Sequence, residues 1–86
     1  MSYATFDGGE LMVGHDPARA KLLLIDPKIS GAHLRLRYTD GVLIAEDISR
    51  NGTNVNGVRI QHPAVLNRRD VLTMGSTQFQ ITWWGK

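Results

Sequence analysis

Eighty-six residues with 42% hydrophobic content suffice for one small domain over 1–86 and are too apolar for a disordered chain. Ten Lys and Arg against eight Asp and Glu leave +2, too mild a charge to argue for nucleic acid, and the absence of cysteine excludes disulfides and thiolate metal sites. Apolar stretches such as Leu22 to Ile25 fall far short of the ~20 residues of a membrane helix, and the N-terminus lacks a secretory pattern, so a cytoplasmic location without membrane insertion is expected.

Turn chemistry punctuates the chain at Asp7-Gly8-Gly9, Asp16-Pro17 and Asp26-Pro27, with short strands expected at Glu10 to Val13 and Leu22 to Leu24. Pro17 to Leu24 competes as a helical turn, but its apolar spacing has a gap. Leu34, Leu36 and Tyr38 alternate with Arg35, Arg37 and Thr39, the period of a half-buried strand. Asp40-Gly41 then predicts a two-residue hairpin turn. Val42 to Ala45 is nearly continuous in apolar residues, which predicts a strand covered on both faces. Further strands are expected at Asn54 to Val55, Val58 to Ile60 and Val71 to Met74, with Asn67 to Asp70 and Gly75 as turns. Phe79, Ile81 and Trp83 alternate with Gln78, Gln80 and Thr82, so the last strand faces inward on the Phe79 side. One of Trp83 and Trp84 must then face away from the core. Many short strands without a long helix predict an all-β fold, an antiparallel β-sandwich of two sheets.

The densest run of structural residues is Asp47-Ile48-Ser49-Arg50-Asn51-Gly52-Thr53-Asn54-Val55-Asn56-Gly57. Asn and Gly tolerate positive φ, and Ser, Thr and Asn bond to nearby backbone, so the run reads as two tight loops around a very short strand. Upstream, Ser30-Gly31-Ala32-His33 places a serine and a histidine three apart at a loop-to-strand boundary. Arg19, Lys21 and Lys28 precede that serine, and Arg50 and Arg59 flank the second loop. If the loops share one end of the fold, that end is basic and suits an anion.

These segments resemble the forkhead-associated (FHA) domain family. The ordered anchors are Gly14, Asp26-Pro27-Lys28-Ile29-Ser30, His33, Asp47-Ile48-Ser49, Asn51-Gly52-Thr53 and Asn56-Gly57. Val58 to Ile60, Leu66, Asp70-Val71-Leu72 and Gly75 follow them. The resemblance implies a sandwich that binds threonine-phosphorylated proteins or peptides with loops at one end. It implies a phosphate contact from the Ser30 hydroxyl, a backbone N–H from Gly31, positive charge from Arg50, and a bond from Asn51 to the peptide main chain. His33 would tie the two loops together, with Thr53 as a hydrogen-bond partner, while Gly14, Gly52, Asn56 and Gly57 serve loop geometry.

The chain departs from the family pattern at one position. Where the family has Gly-Arg at the end of the early strand, this chain has Gly14-His15. A neutral imidazole offers one donor where guanidinium offers a charged fork. Three outcomes stay open: His15 binds the phosphate, Arg19 or Arg50 substitutes, or the domain has become a protein-interaction module that works without phosphate. An enzyme is not expected. A hydrolase built on Ser30, His33 and Asp47 lacks any sign of a pocket or oxyanion hole, and no cofactor motif is present. His15, His33 and His62 lack metal-ligand spacing, and the scattered aromatics disfavour RNA.

Overall fold

The Asp40-Gly41 pair forms the expected hairpin, with both residues at positive φ, 51° and 82°, as a type I′ turn requires. It joins β4 (Leu34–Thr39) to β5 (Val42–Asp47) in a six-pair antiparallel ladder from Leu34↔Asp47 to Thr39↔Val42. The structure, a computed structural model, describes residues 2–6 and 9–83, with side chains from 9 to 81. The remaining strands are β1 (Ser2–Phe6), β2 (Glu10–Gly14), β3 (Leu22–Leu23), β6 (Asn54–Val55) and β7 (Val58–Arg59). The last three are β8 (Ala64–Leu66), β9 (Leu72–Met74) and β10 (Thr77–Trp83).

Two five-stranded sheets result, ordered β3-β2-β4-β5-β8 and β1-β10-β9-β6-β7. Pairing is antiparallel except at two edges, where β1 lies parallel to β10 and β3 parallel to β2. Between the sheets, Val13, Leu34, Leu36, Leu43 and Ala45 meet Leu72, Met74, Phe79 and Ile81, with Ile29 and Leu66 completing the core. Each large apolar side chain so buried stabilises the fold by about 1.5–3 kcal/mol.

The region from Pro17 to Leu24 is one turn and not a helix. Arg19 N and Ala20 N both donate to the Asp16 carbonyl, at 2.9 and 2.8 Å, and the chain then enters β3. Val42 to Ala45 is not covered on both faces: Leu43 and Ala45 are buried, but Val42 is 38% exposed on the outer side. The apolar outer residues have a partner in sheet register, since Ile44 lies opposite Val65 of β8. Asp7, Gly8 and Trp84 lie outside the described residues, as does the side chain of Trp83, so the turn expected at 7–9 is represented by Gly9 alone, at φ 77°.

Candidate functional site

Three loops converge at one end, and their contact begins with two glycines. A side chain on Gly14, the last residue of β2, would collide with the Gly31 carbonyl. This close approach lets the chain after β2 run beside 30–33: His15 N donates to Ser30 O at 3.2 Å, Asp16 N to Gly31 O at 3.3 Å, and His33 N to Val13 O at 2.8 Å.

His33 is fully buried between the second and third loops. The Ser30 N–H donates to His33 Nδ1 at 3.0 Å, so that nitrogen carries no proton. Nε2–H therefore donates to the Gly52 carbonyl, also at 3.0 Å. With both nitrogens so assigned the ring is neutral, and its 4.0 Å separation from Asp47 Oδ1 is not an ion pair. The expected loop-bridging role is thus present in the geometry, but through the Gly52 backbone. Thr53, buried beside it, gives its hydroxyl proton to Asp47 Oδ1 at 2.9 Å.

Asp47 organises that loop. Its Oδ1 also accepts from Ser49 Oγ at 2.6 Å and Ser49 N at 3.2 Å, and Ser49 Oγ in turn accepts from Gly52 N at 2.8 Å. Asp26 does the same for the loop before Ser30. It accepts from Lys28 N and Ser76 N, at 2.9 and 2.8 Å, and from the Thr77 hydroxyl at 3.2 Å. The Lys28 N–H bond, then the Ser76 N–H, hold its carboxyl below the usual aspartate value. Their loop-organising roles are not evident from the sequence, where Asp26 and Asp47 stand as family anchors and Asp26 as a turn residue. The available signal was the Asx-turn spacing, which recurs at Asp16, where Oδ1 accepts from Ala18 N at 2.9 Å.

Held this way, the loops frame a groove of about 590 Å³. All five residues expected to contact a phosphopeptide, His15, Ser30, Gly31, Arg50 and Asn51, line it, together with Arg19 and Lys28. No described carboxylate does. Ser30 Oγ accepts from Arg50 N at 3.2 Å, which ties the loops together and leaves the hydroxyl proton to give. The Gly31 N–H has no acceptor among the described residues. Asn51 reaches across the groove floor, Nδ2 donating to the Lys28 carbonyl at 2.8 Å. His15 Nδ1 lies 2.6 Å from the Ile29 carbonyl and must donate to it, so the neutral ring has no N–H left for an anion.

Two of the cations named with the basic end stand apart from the groove. Lys21 is not among its lining residues, and Arg59 lies over Gly52, where a Cβ would meet its Nε at 2.6 Å. Asn56 and Gly57 form a second type I′ turn, at φ 53° and 83°, between β6 and β7.

The fold is found in known structures. No curated protein sequence matches the chain. Among solved structures, the FHA domain of the CT664 protein from Chlamydia trachomatis superposes with a TM-score of 0.78 at 33% identity, over 85% of this chain and 75% of that one. A domain studied for phosphothreonine-dependent FHA interactions gives 0.76 at 29% identity, over 83% and 73%. The MEK1 FHA domain, in complex with a phosphothreonine peptide of HOP1, gives 0.73 at 26% identity, over 86% and 79%. The sequence model of the FHA domain matches residues 11–75, from β2 through the turn after β9. The chain belongs to the FHA domain family.

Proposed function

We propose that this domain is a non-enzymatic, cytoplasmic interaction module that binds threonine-phosphorylated proteins or peptides through the groove around Ser30. The observation that carries this is the groove's charge. Arg19, Lys28 and Arg50 line it, none of them with an ion pair among the described residues; no described carboxylate lines it, and Asp26 beside it offsets Lys28 only in part. A dianion bound there gains charge-assisted bonds, while loops already fixed by Asp26, His33 and Asp47 lose little order. Two structural relatives are described with phosphothreonine-dependent interactions or a phosphothreonine peptide, which supports the same ligand class here. In this reading Ser30 donates its hydroxyl, Gly31 its N–H, and Arg50 its charge. Asn51 exchanges its Lys28 bond for the peptide main chain, and His15 joins only with a second proton on its ring.

A second reading is favoured by His15 itself. Because the neutral ring's donor is taken up by Ile29, the position the family gives to arginine offers no N–H, and a phosphate-independent interaction module would look the same there. Titration with matched phosphorylated and unphosphorylated peptides separates the two. The phosphopeptide is expected to bind at least tenfold tighter, and Ser30→Ala with Arg50→Ala together should abolish that preference while leaving the domain folded. Equal affinity for both peptides would overturn the phosphate reading in favour of the second.

A further inference from the structure

We infer that Arg19 supplies the charged fork missing at position 15, and that Gly31 is glycine because the Arg19 guanidinium occupies the place of its side chain. This rests on the phosphate reading above and names the residue that makes it work.

The backbone of Arg19 is pinned. It sits in the turn that Asp16 closes, with Ala18 N on the Asp16 carboxylate, Arg19 N and Ala20 N on the Asp16 carbonyl, and Ala20 buried beneath. From there the side chain crosses to Gly31. A Cβ built on Gly31 would lie 2.9 Å from Arg19 Nη1 and 3.2 Å from Asp16 Cβ. Backbone conformation gives no reason for glycine at 31, because its φ is not among the positive ones. The close approach to Gly14 gives none either, since the atom met there is the Gly31 carbonyl, which every residue has. What remains is the guanidinium, the nearest group, with Asp16 Cβ a looser second contact.

That guanidinium has no ion pair or side-chain hydrogen bond among the described residues, although Asp16 is three residues away; the Asp16 carboxylate serves Ala18 N instead. A guanidinium carries five N–H donors in a planar fork that matches two phosphate oxygens at once. It lines the groove beside Ser30 and Gly31, whose hydroxyl and N–H are also open. The arginine is therefore delivered from the turn after β2, while the position the family pattern gives to arginine holds a histidine bonded to the Ile29 carbonyl of the loop before Ser30.

The test starts with a peptide library carrying a fixed central phosphothreonine. The tightest peptide is titrated, with and without phosphate, against the full 86-residue chain. Arg19→Ala is expected to weaken phosphopeptide binding about tenfold to a hundredfold, with the unphosphorylated peptide unaffected. Arg19→Lys keeps the charge but not the fork and should fall between. Arg37→Ala, which removes the same charge from exposed β4, should change binding less than twofold. Gly31→Ala should weaken binding several-fold in wild type and hardly at all in Arg19→Ala, with little change in melting temperature, because the group displaced is the far end of a flexible side chain. If Arg19→Ala leaves phosphate preference intact while Ser30→Ala with Arg50→Ala removes it, the inference falls and the phosphate reading stands. Equal cost of Gly31→Ala in both backgrounds overturns the assignment of the space to Arg19. A wild type blind to phosphate overturns both readings together.

Discussion

Two Asn-Gly pairs five residues apart adopt different structures. Asn56-Gly57 is a hairpin turn: both residues take positive φ, the pair closes β6–β7, Asn56 ties it to Asp70 and Val71, and a Cβ on Gly57 would meet nothing within 4 Å. Asn51-Gly52 closes no hairpin. Only Gly52 has positive φ, at 92°; its carbonyl takes the proton of buried His33, its N–H goes to Ser49, and Arg59 covers its Cα. A dipeptide sets which backbone regions are open, and its partners decide which one is used. At Asn51-Gly52 the partners come from another loop, and that is where the groove lies.

The contrast breaks most visibly at His33. Replacing it by alanine leaves the Ser30 N–H and the Gly52 carbonyl without partners and opens a gap in a buried site, at a cost of about 3 kcal/mol. Asn56→Ala, which removes a side chain that is exposed and bonded to Asp70 Oδ1 and Val71 N, should cost about 1 kcal/mol. Urea denaturation of the two variants compares them. A His33→Ala domain as stable as wild type that binds poorly would reassign His33 from scaffold to ligand contact.

The two glycines sharpen the same comparison. Gly57→Ala meets only the positive φ and should cost about 1 kcal/mol. Gly52→Ala meets the positive φ and must also displace Arg59, for about 2 kcal/mol. Removing the obstacle tests the difference: in an Arg59→Ala background the two costs should converge. If they differ as much as before, the Arg59 contact is not the cause.

How much of this was legible in the chain follows from the range of each interaction. The strands whose faces read clearly, Leu34 to Tyr38 and Phe79 to Ile81, alternate over enough positions to show period two. β1 escaped because its only partner, β10, lies at the other end of the sequence, and β8 because three residues after Pro63 carry no period. Val42 to Ala45 misled because Val42 and Ile44 are apolar on the outer face, where register rather than composition reveals the side. Within the site, Ser30, His33 and Asn51 follow from the resemblance to the FHA family, and the loops they sit on do meet. What spacing could not show is which atoms are already taken: that His15 donates to Ile29, that His33 meets the Gly52 carbonyl and not the Thr53 hydroxyl, and that Arg19 reaches Gly31. Each depends on how a turn is folded, and only three-dimensional proximity fixes it.

The smallest effect expected concerns acid. The hairpin at Asn56-Gly57 is anchored to Asp70 and Val71, just before β9, whereas the loop before Ser30 is anchored to the β9–β10 turn through Asp26. Gly75 is part of that junction, since a Cβ there would lie 2.9 Å from Asp26 Oδ2. Hydrogen bonds from Lys28 N and Ser76 N depress the Asp26 pKa below the ordinary 3.8. A group whose folded pKa is depressed contributes stability that is fully present above the unfolded value and is lost as pH falls through the folded one. No loss from this carboxylate is therefore expected above about pH 5; its share falls progressively below about pH 4 and is gone only below the folded pKa. Because the group is exposed, the effect on the whole domain is slight, and the local signal is the better measure. In an NMR titration the Lys28 and Ser76 amides should shift together with a midpoint below 3.8, before the Asn56 and Gly57 amides move. A midpoint at or above that value would show that the Asp26 junction does not hold the loop, and the rigidity of the groove would then rest on His33 and Asp47 alone.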